Sequence, residues 1–271
     1  MTTATRAADP RAPTAGEARR EIRAGRWTRH TAGLAPGKLQ CNLVVLPEAW
    51  ALDFLRFCLR NPKPCPIVGV TDTGDPRLPD LGADIDLRTD VPRYRVHENG
   101  EAVTEPTDIT RRWREDFVGV ALGCSFTFEH ALMAAGIGLP NVERDVTVPM
   151  YRTTIPLAPA GPFRGSMVVS MRPIPTGRVE EASRISARYP HAHGAPVHVG
   201  DPAAIGIADL SAPDWGEATA PAAGETPVFW ACGVTPQNVL LAARPPICIT
   251  HAPGHMLITD LDERAGLEDT A

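Results

Sequence analysis

Apolar and polar positions fall into short blocks along this chain, and prolines separate many of them. QCNLVVLP (40–47) is a continuous apolar run ending in a proline, the pattern of a strand buried on both faces. Pro47 suits the first turn of a helix reaching about Arg60. Trp50, Phe54 and Cys58 recur there at i, i+4 spacing, and Leu52, Leu55 and Leu59 add a neighbouring stripe, so the helix is expected to be covered on more than one side. PIVGV (66–70) follows as a strand, which predicts a β-α-β start. Residues 71–112 are polar and rich in turns, with Asn99-Gly100 marking a hairpin. ITRRWREDF predicts a helix, FVGVAL a strand, and GCSFTFEHALMAAG a turn leading into a helix that Gly136 or Gly138 ends.

Alternation over 141–175 predicts antiparallel strands, followed by a helix from about Thr176 to Ala187. PVFWAC is a buried strand, TPQNVLLAA a short helix, and PICIT and MLITDL close the pattern as strands. A short helix is expected from Glu17 to Gly25. The class is α/β. Between disordered tails at 1–20 and 263–271, one module over 21–262 is expected, built from two units. An α/β unit takes residues 27–70, 113–139 and 196–262; a smaller α+β unit takes 71–112 and 140–195.

Composition changes this picture mainly by exclusion. The 271 residues are 43% hydrophobic and 22% charged, with a net charge of −5. No basic block offers a nucleic-acid footprint. No apolar run reaches the ~18 residues that a membrane span needs. The first twenty residues have arginines but no apolar stretch, which is not a secretory signal. Six cysteines without a C-x-x-C pair read as reduced thiols, so a cytoplasmic location is expected. A homo-oligomer is compatible with all of this.

Candidate chemistry lies at strand ends. In LGCSFTFEHAL (122–132) a strand runs into a helix whose free N–H groups and positive end suit a carboxylate or oxyanion. Cys124, Ser125 and Thr127 stand at this junction as candidate substrate-binding residues. Glu129, in the first turns, is either a solvated acid or, in a closed pocket, a general acid with a raised pKa. G-C-S-F lacks the second glycine of a nucleophile elbow, so a helix cap beside a buried thiol is favoured over a serine or cysteine nucleophile. FWACGVTPQN repeats the strand-to-helix junction and contributes Thr235 and Gln237. ITHAPGHM and HAHGAPVHVGDP hold five histidines. Of these, His198 and His251 are candidate acid/base groups and His193 and His255 candidate binding residues. A divalent metal is the alternative there, although the spacing matches no zinc template. Arg152 and Arg172, within alternating strands, either pair with buried carboxylates or clamp an acidic ligand.

QCNLVVLP, FCLRNPKPCP, TDVPRYRV, LGCSFTFEHAL, VPMYRT, VVSMRP, HGAPVHVGDP, PVFWACGVTPQ and ITHAPGHM occur in this order. Through them the sequence resembles the D-glutamate cyclase-like family, whose bacterial members are known as hydro-lyases, over about residues 20–262. Cys41 stands where that resemblance leads one to expect alanine, and Thr127 where it leads one to expect serine. The resemblance implies a three-layer α/β/α unit joined to a smaller two-layer unit, and a lyase that eliminates water. D-glutamate, closing to 5-oxo-D-proline, is one substrate it suggests. The partner expected is thus a small-molecule carboxylate, with no cofactor. A non-catalytic carboxylate-binding or accessory protein is the alternative.

Overall fold

The computed structural model describes residues 13–144 and 146–263. The strands are β1 (Lys38–Pro47), β2 (Ile67–Val70), β3 (Tyr94–Glu98), β4 (Glu101–Thr104), β5 (Phe117–Gly123), β6 (Met150–Pro156), β7 (Ser166–Pro175), β8 (His198–Val199), β9 (Glu225–Ala231), β10 (Ile247–His251) and β11 (Leu257–Asp262). The helices are α1 (Ala15–Arg23), α2 (Glu48–Arg60), α3 (Phe126–Ala134), α4 (Pro140–Glu143), α5 (Val179–Ala187) and α6 (Val234–Ala243). The α/β class is as expected.

Two sheets carry the fold. The larger has the order β2-β5-β1-β10-β3-β4, with β11 also pairing with β1; the smaller has the order β6-β7-β9-β8. The strand pairings within both sheets are antiparallel. β1 and β2 are therefore not a neighbouring β-α-β pair, because β5 lies between them. The strands are also shared out differently from the expected units. The β3–β4 hairpin joins the larger sheet, while β8 and β9 join β6 and β7 in the smaller. These pairings link distant segments, such as Val169 with Ala231, and no local pattern encodes the choice of partner.

The continuous apolar run of β1 is explained by burial on both faces. Val44 and Leu46 join Val118, Val120 and Leu122 of β5, Val169 and Met171 of β7, and Phe229 of β9 in the core between the sheets. Phe54 and Phe57 of α2 enter the same core, where Phe163 packs edge-on against Phe54 at 5.4 Å between ring centroids. On the other face, Leu39, Cys41, Leu43 and Val45 meet Leu78, Leu81, Ile85, Leu87 and Val91, so the polar, turn-rich segment lays an apolar lid on the sheet. A third cluster joins Val228 and Trp230 of β9 to Phe128 and Leu132 of α3 and Ala182 of α5.

Several local expectations are corrected. α2 is covered on one side only: Leu52 and Leu59 are 60% and 72% exposed. ITRRWREDF forms a single 3-10 turn at Thr110–Arg112, and its Trp113 indole donates to the Gly74 carbonyl at 2.8 Å. The helix expected from Thr176 opens with a 3-10 turn and becomes α-helical at Val179. Helix α1 begins at Ala15, inside the segment expected to be disordered to residue 20. A capping box between Thr14 and Glu17 starts it, and its buried Arg19 is paired with Asp84 and Asp260. The rest of the expected tails, 1–12 and 264–271, lies outside the described residues.

The end of β5 is fixed by a close backbone approach. A Cβ added at Gly123 would stand 1.6 Å from the His191 carbonyl oxygen. Gly123→Ala is therefore expected to force the 190–194 turn away and lower stability by about 1–3 kcal/mol or more. Urea unfolding checks this; a loss below about 0.5 kcal/mol would mean that the turn moves freely.

Candidate functional site

β5 and β10 both run antiparallel to β1, on either side of it, so they are parallel to each other and end at the same edge of the sheet. Cys124 follows one end, and His251 closes the other opposite Leu43. β9 of the second sheet brings Cys232 and Gly233 to the same place. The three strand-end loops line one cavity of about 360 Å³ together with Asn42, His30, His130, Asn141 and the segment 146–150. Strand-end loops gather at one edge of this antiparallel sheet because alternate strands end together there.

Asn42 joins the two helix-starting junctions. Its Nδ2 donates to the Gly123 carbonyl at 2.8 Å, and a Cβ on Gly233 would lie 2.3 Å from that same nitrogen. Only glycine lets the start of α6 approach so closely. The helices α3 and α6 consequently begin side by side over the cavity. Their junction cysteines have thiols held protonated by burial, pushed up to about 12 at Cys124 and about 11 at Cys232. Ser125 Oγ accepts from Arg172 Nη2 at 3.3 Å, and no histidine is bonded to it. Neither residue has the setting of an activated nucleophile.

Behind the wall lies an ion pair. Glu129 is 4% exposed and Arg172, on β7, is fully buried. Arg172 Nε and Nη2 donate to Glu129 Oε1 at 2.9 and 2.5 Å, and Asn141 Nδ2 reaches the same oxygen at 3.4 Å. Arg172 Nη1 donates to Ser170 Oγ, and the guanidinium lies 5.0 Å from the centre of the Phe128 ring. All of these bonds fall on Oε1; Oε2 takes none of them. Glu129 is therefore a cavity carboxylate with one oxygen held by the guanidinium and the other outside these bonds. Arg172 is consumed by Glu129 and does not line the cavity.

His251 is 3% exposed and lines the cavity. The Leu43 N–H donates to its Nδ1 at 3.1 Å, closer than the Leu43 carbonyl at 3.4 Å, which places the ring proton on Nε2. Burial depresses its pKa to about 4, so the ring is neutral at physiological pH. It can donate from Nε2 but is a weak base. The Gln237 carboxamide lies 3.2 Å from both ring nitrogens and sets the ring's attitude. His130 has the opposite character: its bond to Glu263, 3.1 Å from Nδ1, raises its pKa and favours the imidazolium.

Of the residues expected from sequence, Cys124, Ser125, Glu129 and His251 line the cavity, and Gln237 and Arg172 touch those that do. The others are placed elsewhere, each for a visible reason. Thr235 is tied to the Val168 backbone, accepting from its N–H at 3.0 Å and donating to its carbonyl at 3.1 Å. Thr127 is buried with an unpartnered hydroxyl, and it does not line the cavity. Arg152 pairs with Asp214 at 2.9 Å and lies over Trp215. His193 donates from Nδ1 to the Lys63 carbonyl at 2.7 Å. His198 donates from Nε2 to the Asp201 carbonyl at 2.7 Å and rests on Phe229. His255 donates from Nδ1 to the Pro253 carbonyl at 2.9 Å. Among the described residues, no three histidine, cysteine or acidic side chains are gathered to hold a metal ion.

Asn42, His130 and Asn141 were not singled out from sequence. Asn42 had a signal, a polar residue inside an apolar strand run. His130 and Asn141 had none, because their roles depend on Glu263 and Glu129, which are distant in sequence.

Residues 118–260 match the model of the D-glutamate cyclase family. The chain belongs to that family. A Jannaschia protein named "putative hydro-lyase" is 65% identical over 91% of this chain and 93% of its own length. A relative of the same name from Dinoroseobacter shibae is 61% identical over 92% of this chain and 83% of its own. One from Bordetella petrii is 57% identical over 93% and 96%. Among solved structures, a nitrogen repressor-like protein from Methanococcus jannaschii aligns over 88% of this chain, with 12% identity and a TM-score of 0.37. That likeness is too loose to carry an argument. The family match covers β5 to β11 and so spans most of the cavity wall, while Asn42 and His30 lie before it.

Proposed function

We propose that the chain is a hydro-lyase that removes water from a small amino or hydroxy carboxylic acid held in this cavity. The observation that carries the reading is one wall on which Glu129, His130 and His251 stand beside the starts of α3 and α6. The substrate carboxylate sits at the two helix N-termini, whose partial positive charges favour it. Glu129 accepts the proton that is removed, while Arg172 and Asn141 hold its other oxygen in place. His130, protonated through Glu263, gives its proton to the departing oxygen, which leaves as water. His251 Nε2–H donates to the oxygen on which charge develops, as a neutral electrophile. The proton on Glu129 then returns to His130 through solvent, and the protein is unchanged.

D-glutamate is the finer candidate that the family name supplies. On it Glu129 would take the ammonium proton, and the freed amine would attack the distal carboxyl carbon. A C–N bond would form; the departing oxygen would take one proton from His130 and the second from the newly bonded nitrogen through solvent. The C–O bond would break and the oxygen would leave as water, giving 5-oxo-D-proline, while the proton on Glu129 would return to His130.

The test is incubation of the purified protein with D- and L-glutamate and a panel of amino and hydroxy acids, detecting product lighter by one water. Glu129→Gln is expected to lower kcat about a hundredfold or more with little change in KM. Unaltered kcat would remove Glu129 from the chemistry. His130→Gln is expected to abolish the fall in activity as pH rises through the raised pKa of His130. A profile identical to that of the parent would remove His130 as the acid.

A further inference from the structure

We propose that the exposed face of α2 is the contact surface for a second copy of this chain, packed antiparallel about a twofold axis. Leu52 and Leu59, at 60% and 72%, are the two most exposed large apolar side chains among the described residues. Both lie on this one helix. Seven residues apart, they share a face and are separated by two turns, about 10 Å. Ala49 and Arg56 are exposed on that face too, so 49, 52, 56 and 59 follow the alternating three- and four-residue spacing of a helix-pairing seam. Leu55, partly buried, flanks it. The opposite face is spent on the core through Ala51, Phe54, Phe57 and Cys58. Single surface leucines need no explanation, whereas two in one seam make a patch that gains by being covered.

The charges on α2 indicate what covers it. The helix is acidic in its first half, at Glu48 and Asp53, and basic in its second, at Arg56 and Arg60. That order suits the helix dipole. It also makes the helix its own complement once reversed. With Leu52 opposite Leu59 of the second copy, Asp53 falls within one turn of that copy's Arg56 and Arg60, on one flank of the contact. Within the chain Asp53 pairs with Arg56 at 3.1 Å, while Arg60 donates to the neutral Pro159 carbonyl and so keeps its charge for a carboxylate. A parallel pairing in register would set like charges side by side. A twofold contact uses every residue twice, so four leucines are covered. At 13 residues α2 is about 20 Å long, and one helix pair of that length is a small interface, so a dissociation constant of about 1–100 µM is expected. The contact is independent of the lyase reading. Among the described residues, none of α2 lines the cavity.

Sedimentation equilibrium of the intact chain, from about 1 to 200 µM, measures the association. Leu52→Lys and Leu59→Glu are at exposed positions and are expected to fold as the parent does, which circular dichroism checks. Each sets a charge against a leucine of the other copy and is expected to weaken the dimer about thirtyfold or more. The double variant places lysine opposite glutamate twice and is expected to recover about tenfold of that loss. Recovery distinguishes this register from a patch that binds some other protein or associates without order. A parent that stays monomeric at the highest concentration would overturn the proposal. So would a dimer that both single variants leave intact, or a double variant no tighter than either single one.

Discussion

Replacing Arg172 with methionine is expected to cost about 3–5 kcal/mol of folding stability, the largest loss from any single change at this site. The guanidinium is fully buried, and its partner Glu129 is 4% exposed. Two of its nitrogens hold Glu129 Oε1, at 2.9 and 2.5 Å, and a third holds Ser170. Methionine would fill part of the space between Phe128 and Trp230, on which the guanidinium rests. It would not neutralise the carboxylate left behind. The penalty is the stranded charge, and for that reason the pair Arg172→Met with Glu129→Leu is expected to recover most of the loss. Replacing a buried ion pair by apolar residues of similar size is often neutral. Urea unfolding of the two single variants and the double variant gives the coupling directly. If Arg172→Met alone costs less than about 1 kcal/mol, water reaches the pair and the closed wall described here is wrong. The double variant also separates structure from chemistry: it should fold and, if Glu129 is the acceptor proposed above, turn over no substrate.

The site was legible in sequence where a local pattern carries local geometry. LGCSFTFEHAL announces a strand, a tight turn and a helix start, and that junction lies on the cavity with Cys124, Ser125 and Glu129. FWACGVTPQN repeats the pattern and supplies the second helix start. ITHAPGHM ends a strand beside them with His251. What the chain could not show locally is which charges find each other. Arg172 is separated from Glu129 by 43 residues, and His130 from Glu263 by 133. The sequence therefore shows Glu129 as an acid near a helix start and not the guanidinium that stands behind it. His193 and His198 read as pocket residues because histidines in a Gly/Pro loop are ambiguous. In the structure each is tied to a backbone carbonyl away from the cavity. The sheet pairings failed for the same reason. An apolar run such as β9 signals burial on both faces but not the strand beside it.

Acidification from about pH 7 to pH 4 is expected to remove a large share of the stability, through histidines buried in the neutral form. His97, His193 and His251 are 4%, 1% and 3% exposed, and burial depresses each from 6.5 to about 4. Between those values the unfolded chain binds a proton at each site that the folded chain does not. Stability therefore rises with pH across this window: it is complete above about 6.5 and lost progressively on descent towards 4. A displacement of about 2.5 units at roughly 1.4 kcal/mol per unit sets an upper bound of about 3.5 kcal/mol for each ring. His130 works the other way, because its pKa is raised by Glu263 and its contribution is lost as pH rises. Buried Asp90, also raised, likewise opposes the trend at the acid end, which leaves four depressed histidines, the half-buried His255 included, against two raised groups. His193 offers the cleanest test. Its backbone has φ 76°, a conformation that asparagine adopts readily, and its Nε2 has no partner. His193→Asn is expected to fold and to reduce the stability change between pH 6.5 and 4.5 by about a third, read as the urea midpoint at each pH. An unchanged slope would show that the ring is hydrated and titrates alike in the folded and unfolded chain.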